Sequence, residues 1–293
     1  MSPTQASVIG LGAMGSAIAQ KLIDEGVNTQ VFNRSKGPGQ AFADQGVYVA
    51  KDLIEAFNSE VVFSMLSNDA AVLAVFTNEL LAQVPAGVVH VNQATVSIAA
   101  AKELEKRHAQ AGIHYVAGPV LGRPHLAPAA KLVTVAGGSD EAVAVIQPLV
   151  DKFCAKTFRV STEPWVASLV KIGVNYNLIH ALQAMGESIA LVENADVDPN
   201  LFIEILTFAA FTGTAYSGYG PMIANKNYQP AGFLMEMGLK DLSLVEGAAK
   251  DLGLKIPAAP MLRELFEIAM KDEALAQSDW SAMSEVTRRQ IGL

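Results

Sequence analysis

The chain has 293 residues, 51% of them apolar and 7% aromatic, with a formal net charge of −8. That length accommodates two domains, each able to bury its own core. The acidic balance argues against a nucleic-acid partner, which needs a basic patch, and the single cysteine, Cys154, excludes an intrachain disulfide and fits a reducing cytosol. Five scattered histidines give no zinc spacing, so no metal is expected. No basic n-region precedes the first apolar run, which reads as an opening strand rather than a leader.

That strand is predicted over 7–10. Val8 and Ile9 precede Gly10-Leu11-Gly12-Ala13-Met14-Gly15, and a helix with Ile18, Leu22 and Ile23 on one side runs to Glu25. In a dinucleotide-binding turn Gly10 makes the tight bend and Gly12 lets the backbone approach a pyrophosphate. Gly15 lets helix and strand meet closely. The helix N-terminus then offers unpaired N–H groups and a positive dipole end to the phosphates. A second strand over 29–33 ends at Asn33-Arg34-Ser35-Lys36, eighteen positions beyond the last glycine. NAD sites place a carboxylate about 20 residues on, where it accepts the ribose 2′-OH. Here Asn33 is neutral, and Arg34, Ser35 and Lys36 suit a 2′-phosphate, which a guanidinium grips in forked geometry. The cofactor expected is NADP(H); the alternative is an ordinary solvated turn.

Strands predicted over 61–66, 88–92, 114–120 and 131–137 alternate with helices over 70–83 and 98–110, the latter closed by Gly112. Such alternation implies a mostly parallel sheet covered on both faces, with ligands beyond the carboxyl ends of its strands. Met65-Leu66-Ser67-Asn68 and Asn92-Gln93-Ala94-Thr95 occupy two such ends and are expected to line the cofactor site, unless they are simple loop chemistry.

After Ser161 the pattern becomes helical. Pro164 opens a helix with no breaker before 196–199, a rod of roughly 45 Å. Further helices are predicted to start near Pro199, Pro221, Phe233, Pro257 and Ser278, with caps at Asp198-Pro199 and Ser278-Asp279. The fold class expected is α/β: a Rossmann-type dinucleotide-binding domain over 1–162 and an all-helical domain over 163–293, joined by a long interdomain helix. The apolar stretch 165–192 carries Lys171, Glu187 and other polar breaks, which falls short of a membrane span, so a soluble cytoplasmic protein is expected.

Lys171 is the one firmly charged residue between Val166 and Leu182, and Asn175 lies one turn further on the same helix face. A lysine in apolar surroundings has its pKa lowered, which suits a group exchanging protons beside a carbonyl. The other reading is a lysine whose head reaches the surface.

The glycine turn, the Lys171-x-x-x-Asn175 helix and Gly238-Leu239-Lys240-Asp241-Leu242 together resemble the β-hydroxyacid dehydrogenase family, over nearly the whole chain. The resemblance implies that Lys171 is the catalytic acid/base and that Asn175 holds substrate. It also implies that Lys240 reaches the nicotinamide end of the cleft and that Thr95 touches the nicotinamide. Without it, Lys240-Asp241 reads as a surface pair. The family's substrate loop usually reads D-A-P-V-S-G-G, whereas this chain has Ala117-Gly118-Pro119-Val120-Leu121-Gly122-Arg123. Leu121 replaces the serine and Arg123 the second glycine. The pocket loses a hydrogen bond and becomes more apolar, and Arg123 either pairs a carboxylate or points into water.

The function expected is NADPH-dependent hydride transfer to a small carbonyl or from a β-hydroxy acid. Lys171 and Asn175 act in the chemistry, and Val120, Leu121, Gly122 and Arg123 position the substrate. Imine reduction on the same architecture is the rival, favoured by Leu121 and disfavoured by Lys171, since imine reductases usually carry Asp or Tyr there. A non-catalytic dinucleotide-binding module is the rival of another class. The long apolar helix and the resemblance imply a homodimer or a tetramer of dimers.

Overall fold

The computed structural model describes residues 5–292 and divides into two compact units, one ending at Lys171 and one beginning at Ile172. The first unit is built on a nine-stranded sheet. Its strands are β1 (Gln5–Ile9), β2 (Asn28–Phe32), β3 (Tyr48–Val49), β4 (Val61–Ser64), β5 (Val89–Asn92), β6 (His114–Ala117), β7 (Val120–Leu121), β8 (Leu132–Gly137) and β9 (Cys154–Ser161). The order β3-β2-β1-β4-β5-β6 is parallel throughout, as in a doubly wound dinucleotide-binding fold. Beyond it, β8 runs antiparallel to β6 and β7, and β9 pairs parallel to β8.

Alternation of side chains sends each strand's apolar residues to two cores. Val8, Val31, Phe63 and Val91 face α1 (Ala13–Asp24) and α2 (Lys36–Ala43). Ile9, Val62 and Tyr115 face α3 (Leu53–Ala56), α4 (Asp69–Val75), α5 (Asn78–Leu81) and α6 (Ile98–Gln110). Helix α7 (Asp140–Val150) returns to the first face through Val143 and Ile146.

Several details of the sheet unit depart from the sequence expectations. The helix expected over 70–83 is split, because Thr77 Oγ1 accepts from Leu80 N–H at 3.3 Å and starts α5 afresh. The strand expected over 114–120 stops at Ala117; Pro119 lacks an N–H, and pairing resumes against β8 at Val120. Strands β3 and β9 have no counterpart among the predicted ones.

Helix α8 (Pro164–Glu193) is the thirty-residue rod expected. Trp165, in its first turn, donates from Nε1 to Glu163 at 2.8 Å, and the Lys102 ammonium lies 4.5 Å from its ring centroid. In the second unit, α9 (Pro199–Ala209), α10 (Thr214–Ala224), α11 (Met235–Asp251), α12 (Ala259–Lys271), α13 (Glu273–Ala276) and α14 (Ser284–Arg288) follow. Ile179, Leu182, Met185 and Ile189 form the stripe of α8 that enters their core, with Phe266, Met283 and the buried Trp280. Asp198 and Asp279 cap as read from the sequence, accepting from the N–H groups of Asn200 and Ser281. Pro221 does not open a helix. It lies inside α10, where its ring removes one intrahelical bond near the C-terminal end. Among the described residues no helix is long and apolar enough to cross a membrane.

Candidate active site

The carboxyl edge of the parallel strands is level, because each loop begins with a bond to its neighbour. Gly10 N–H donates to Phe32 O at 2.9 Å and Met65 N–H to Ile9 O at 2.8 Å. Gln93 N–H donates to Ser64 O at 2.8 Å and Gly118 N–H to Asn92 O at 2.9 Å. The three glycines of the first turn have distinct reasons. Gly10 has φ +92°, and a Cβ there would lie 2.4 Å from Met65 O. At Gly15 a Cβ would stand 1.9 Å from Gly10 O, so β1 and α1 meet only without a side chain. At Gly12 nothing lies within 4 Å, so this glycine serves the space above the turn rather than the protein's own contacts. Gly12 is also the N-cap of α1 with no side-chain cap, and the first-turn N–H groups of Ala13, Met14 and Gly15 face that space. The turn therefore fits a pyrophosphate.

Asn33 sits at the position that a ribose-binding carboxylate takes in NAD sites, and its carboxamide is employed within the protein. Oδ1 accepts from Leu11 N–H at 2.9 Å, and Nδ2 donates to Ser35 O at 3.0 Å and Ser35 Oγ at 2.9 Å. It thus ties the glycine turn to the β2–α2 turn. Arg34, Ser35 and Lys36 are exposed there. On the next loops, Met65 and Leu66 are half-buried, Ser67 is exposed and Thr95 is half-buried.

Strand β5 carries two polar side chains on one face, and Gln93 follows at its end. On the α6 face, His90 and His108 are fully buried and joined between Nδ1 and Nε2 at 2.7 Å. Their tautomers follow from the ends of the chain. Leu104 O only accepts, so His108 Nδ1, 2.6 Å away, carries a proton. With both rings held neutral by burial, His108 Nε2 accepts from His90 Nδ1–H, and His90 Nε2 accepts from Ser64 Oγ–H at 2.8 Å. Asn92, next on that face, donates to Tyr115 Oη at 3.1 Å and accepts from Ala94 N–H. Gln93 falls on the opposite face. It is 2% exposed, and neither Nε2 nor Oε1 has a hydrogen-bond partner. Such an orphaned amide costs on the order of 1–3 kcal/mol.

After β6, Val120 is buried and Leu121, half-buried, pairs with Val133. Gly122 turns the chain with φ +121°, and the half-buried Arg123 precedes a short 3-10 turn, Pro124–Leu126, without a side-chain cap bond. A cleft of about 640 Å³ beside Glu60, Pro85 and His114 opens on the other, amino-terminal edge, away from all these residues.

The second group of expected residues is helical. On α8 Lys171 is half-buried and Asn175, one turn on, is 3% exposed. Asn175 Nδ2 donates to Asp241 Oδ2 at 2.5 Å, and Lys240 Nζ lies 2.8 Å from Asp241 Oδ1. Asp241 is 2% exposed, which corrects the picture of a surface pair. An ionised carboxylate only accepts, so the Asn175 amide is fixed with its NH₂ toward Asp241 and its Oδ1 turned elsewhere. Neither Asp241 nor Gln93 carries an individual role in the sequence. Asp241 was visible only as a neighbour of Lys240, and Gln93 had no signal beyond its strand-end position.

Residues 5–161 match the family model for the NAD-binding domain of 6-phosphogluconate dehydrogenase. Residues 166–287 match that for the NAD-binding region of NADP-dependent 3-hydroxyisobutyrate dehydrogenase. The chain belongs to the β-hydroxyacid dehydrogenase family. Within that family it is 32% identical to the oxidoreductase YfjR of Bacillus subtilis (strain 168) over 280 residues, covering 94% of this chain and 97% of that one. The structure of Mycobacterium tuberculosis 3-hydroxyisobutyrate dehydrogenase with L-serine superposes with a TM-score of 0.87, at 23% identity, over 98% of this chain and 100% of that one. An imine reductase from Pseudomonas sp. superposes with a TM-score of 0.65, at 19% identity, over 97% and 99%. These two likenesses concern the fold. As a β-hydroxyacid dehydrogenase family member the chain is an NAD(P)-dependent oxidoreductase.

Proposed function

We propose that the protein is an NADPH-linked reductase/dehydrogenase of a small carbonyl or β-hydroxy acid, with Lys171 as the general acid/base. The observation that carries this reading is the α8–α11 arrangement, in which Asp241 holds Asn175 one helical turn from Lys171. A nicotinamide held there would give a hydride from its C4 during reduction and would accept one at that carbon during oxidation. Lys171 Nζ gives a proton to the oxygen of the carbonyl during reduction and takes the hydroxyl proton during oxidation. Asn175, its amide fixed, offers Oδ1 and its second Nδ2 proton to orient the substrate oxygen. Val120, Leu121 and Gly122 line the substrate, and Arg123 pairs a substrate carboxylate in forked geometry.

For the cofactor, Gly10 to Gly15 takes the pyrophosphate, while Met65, Leu66, Ser67, Thr95 and Lys240 complete the site. Arg34, Ser35 and Lys36 select NADP(H), with Asn33 bracing their turn. This assigns 1–162 to the cofactor and 163–293 to substrate and dimerisation. The apolar Leu121, where the family usually has serine, favours imines as a second reading.

The test is oxidation of NADPH and NADH over small semialdehydes, 2-oxo acids and cyclic imines, with wild type and Lys171→Ala in parallel. Turnover of an acid aldehyde that falls about 1,000-fold in the variant, with NADPH affinity retained, is the expected result. Imine turnover that survives the substitution would establish the second reading, and a preference for NADH would overturn the role of Arg34.

A further inference from the structure

Gln93 has no task in the chemistry just described, yet its environment demands one. A buried glutamine elsewhere in this sheet has partners for its amide nitrogen. Gln30 Nε2 reaches Ser7 Oγ at 2.7 Å, Ser59 Oγ at 3.0 Å and the Glu55 carbonyl at 3.1 Å. Gln93 is as deeply buried, but both its polar atoms lack partners.

Its position narrows what the missing partner is. Gln93 directly follows β5, at the level where Gly10 follows β1 and Gly118 follows β6. β4 separates β5 from β1, so Gln93 stands about 10 Å along the edge from the glycine turn. A dinucleotide whose pyrophosphate lies on that turn sends its adenosine half toward β2 and the Asn33–Ser35 turn. Its nicotinamide half then extends over β4, β5 and β6. Gln93 is also on the face opposite the His90, Asn92 and Tyr115 bonds, so those groups do not compete for its amide.

We infer that Gln93 is a cofactor-contacting residue whose carboxamide hydrogen-bonds the nicotinamide riboside half of the bound dinucleotide. This rests on the cofactor reading of the glycine turn. The chemistry is complementary, since a primary amide presents donors and an acceptor side by side, and that half of the ligand carries vicinal hydroxyls and a primary amide of its own. Both Gln93 atoms are closed off from solvent. The side chain therefore meets the ligand by turning about its own torsions, and binding exchanges an unpaired amide for a paired one.

The experiment uses Gln93→Met, which keeps the length and volume and removes the amide. Wild type and variant are titrated calorimetrically with NADPH, with NADH and with 2′-phospho-ADP, which lacks the nicotinamide half, and both are melted without ligand. Dinucleotide affinity is expected to fall about tenfold in the variant, the value of roughly one buried hydrogen bond. Affinity for 2′-phospho-ADP, or for ADP if NADH is the tighter ligand, stays equal, and the unliganded variant melts at or above wild type. Equal dinucleotide affinity in the two proteins overturns the inference alone. So does an equal loss for the fragment, which signals general damage, or a variant that melts lower. A wild type that binds neither dinucleotide overturns the cofactor reading as well.

Discussion

The buried imidazoles of His90 and His108 make the fold sensitive to acid. Burial pushes His108 down to about 4 and His90 well below the ordinary histidine value. Both protonate near 6.5 once unfolded. Because the folded value is the lower one, the contribution to stability is complete above pH 6.5 and is lost as pH falls toward 4. For His108 alone this amounts to about 3 kcal/mol. Urea denaturation at pH 7.5, 6 and 5 is expected to show this loss, and to show a shallower one in His108→Gln, whose carbonyl still accepts from His90. At Asp241, substitution by Ala releases the Asn175 amide. A drop of about 100-fold in kcat is expected in steady-state assays. Neither pair was legible in the sequence. His90 and His108 meet only because β5 turns one face to α6, and Asp241 is buried only because α11 lays it against α8.

At the scale of elements, the β1–turn–α1 unit was readable nearly to the residue, because each glycine answers a separate steric demand. Two alanine substitutions separate those demands. Gly15→Ala drives a methyl into Gly10 O and is expected to lower the melting temperature by several degrees, a cost of at least 1–3 kcal/mol by ordinary overpacking figures. Gly12→Ala meets no protein atom, so stability is expected within about 1 kcal/mol of wild type while dinucleotide affinity falls. Melting curves and titration of the same two variants check both halves. The 30-residue α8 was equally legible, since a proline opens it and no breaker interrupts it. Elements set by tertiary context were not. Strands β3 and β9 lack a strong pattern of their own, a single threonine hydroxyl decides where α4 ends and α5 begins, and Pro221 was read as a start signal although α10 absorbs it near its end. Among the candidate site residues, the glycine turn is legible from local chemistry and Lys171 is singled out by its apolar helix together with the family resemblance, whereas the orphaned Gln93 amide is a property of three-dimensional surroundings.

For the whole molecule, the helical unit leaves an apolar stripe uncovered. Leu201, Ile205 and Phe208 repeat along α9 at helical spacing, with Phe208 88% exposed, and Leu191 at the end of α8 is 74% exposed. Exposed apolar side chains of this kind are the surface that the proposed dimer would have to bury if it forms here. Phe208→Lys is expected to shift the sedimentation profile toward monomer while the circular dichroism spectrum is retained. An unchanged profile would remove this helix from the interface. The chain's two tryptophans have a use of their own. Trp280, 2% exposed and bonded to Tyr219, belongs to the helical unit, and the half-buried Trp165 to the sheet unit. The buried indole emits at shorter wavelength than the wetter one, so each unit carries its own optical reporter. Equilibrium unfolding of Trp165→Phe and Trp280→Phe, read by emission, gives two curves whose coincidence or separation measures directly how strongly the units cooperate.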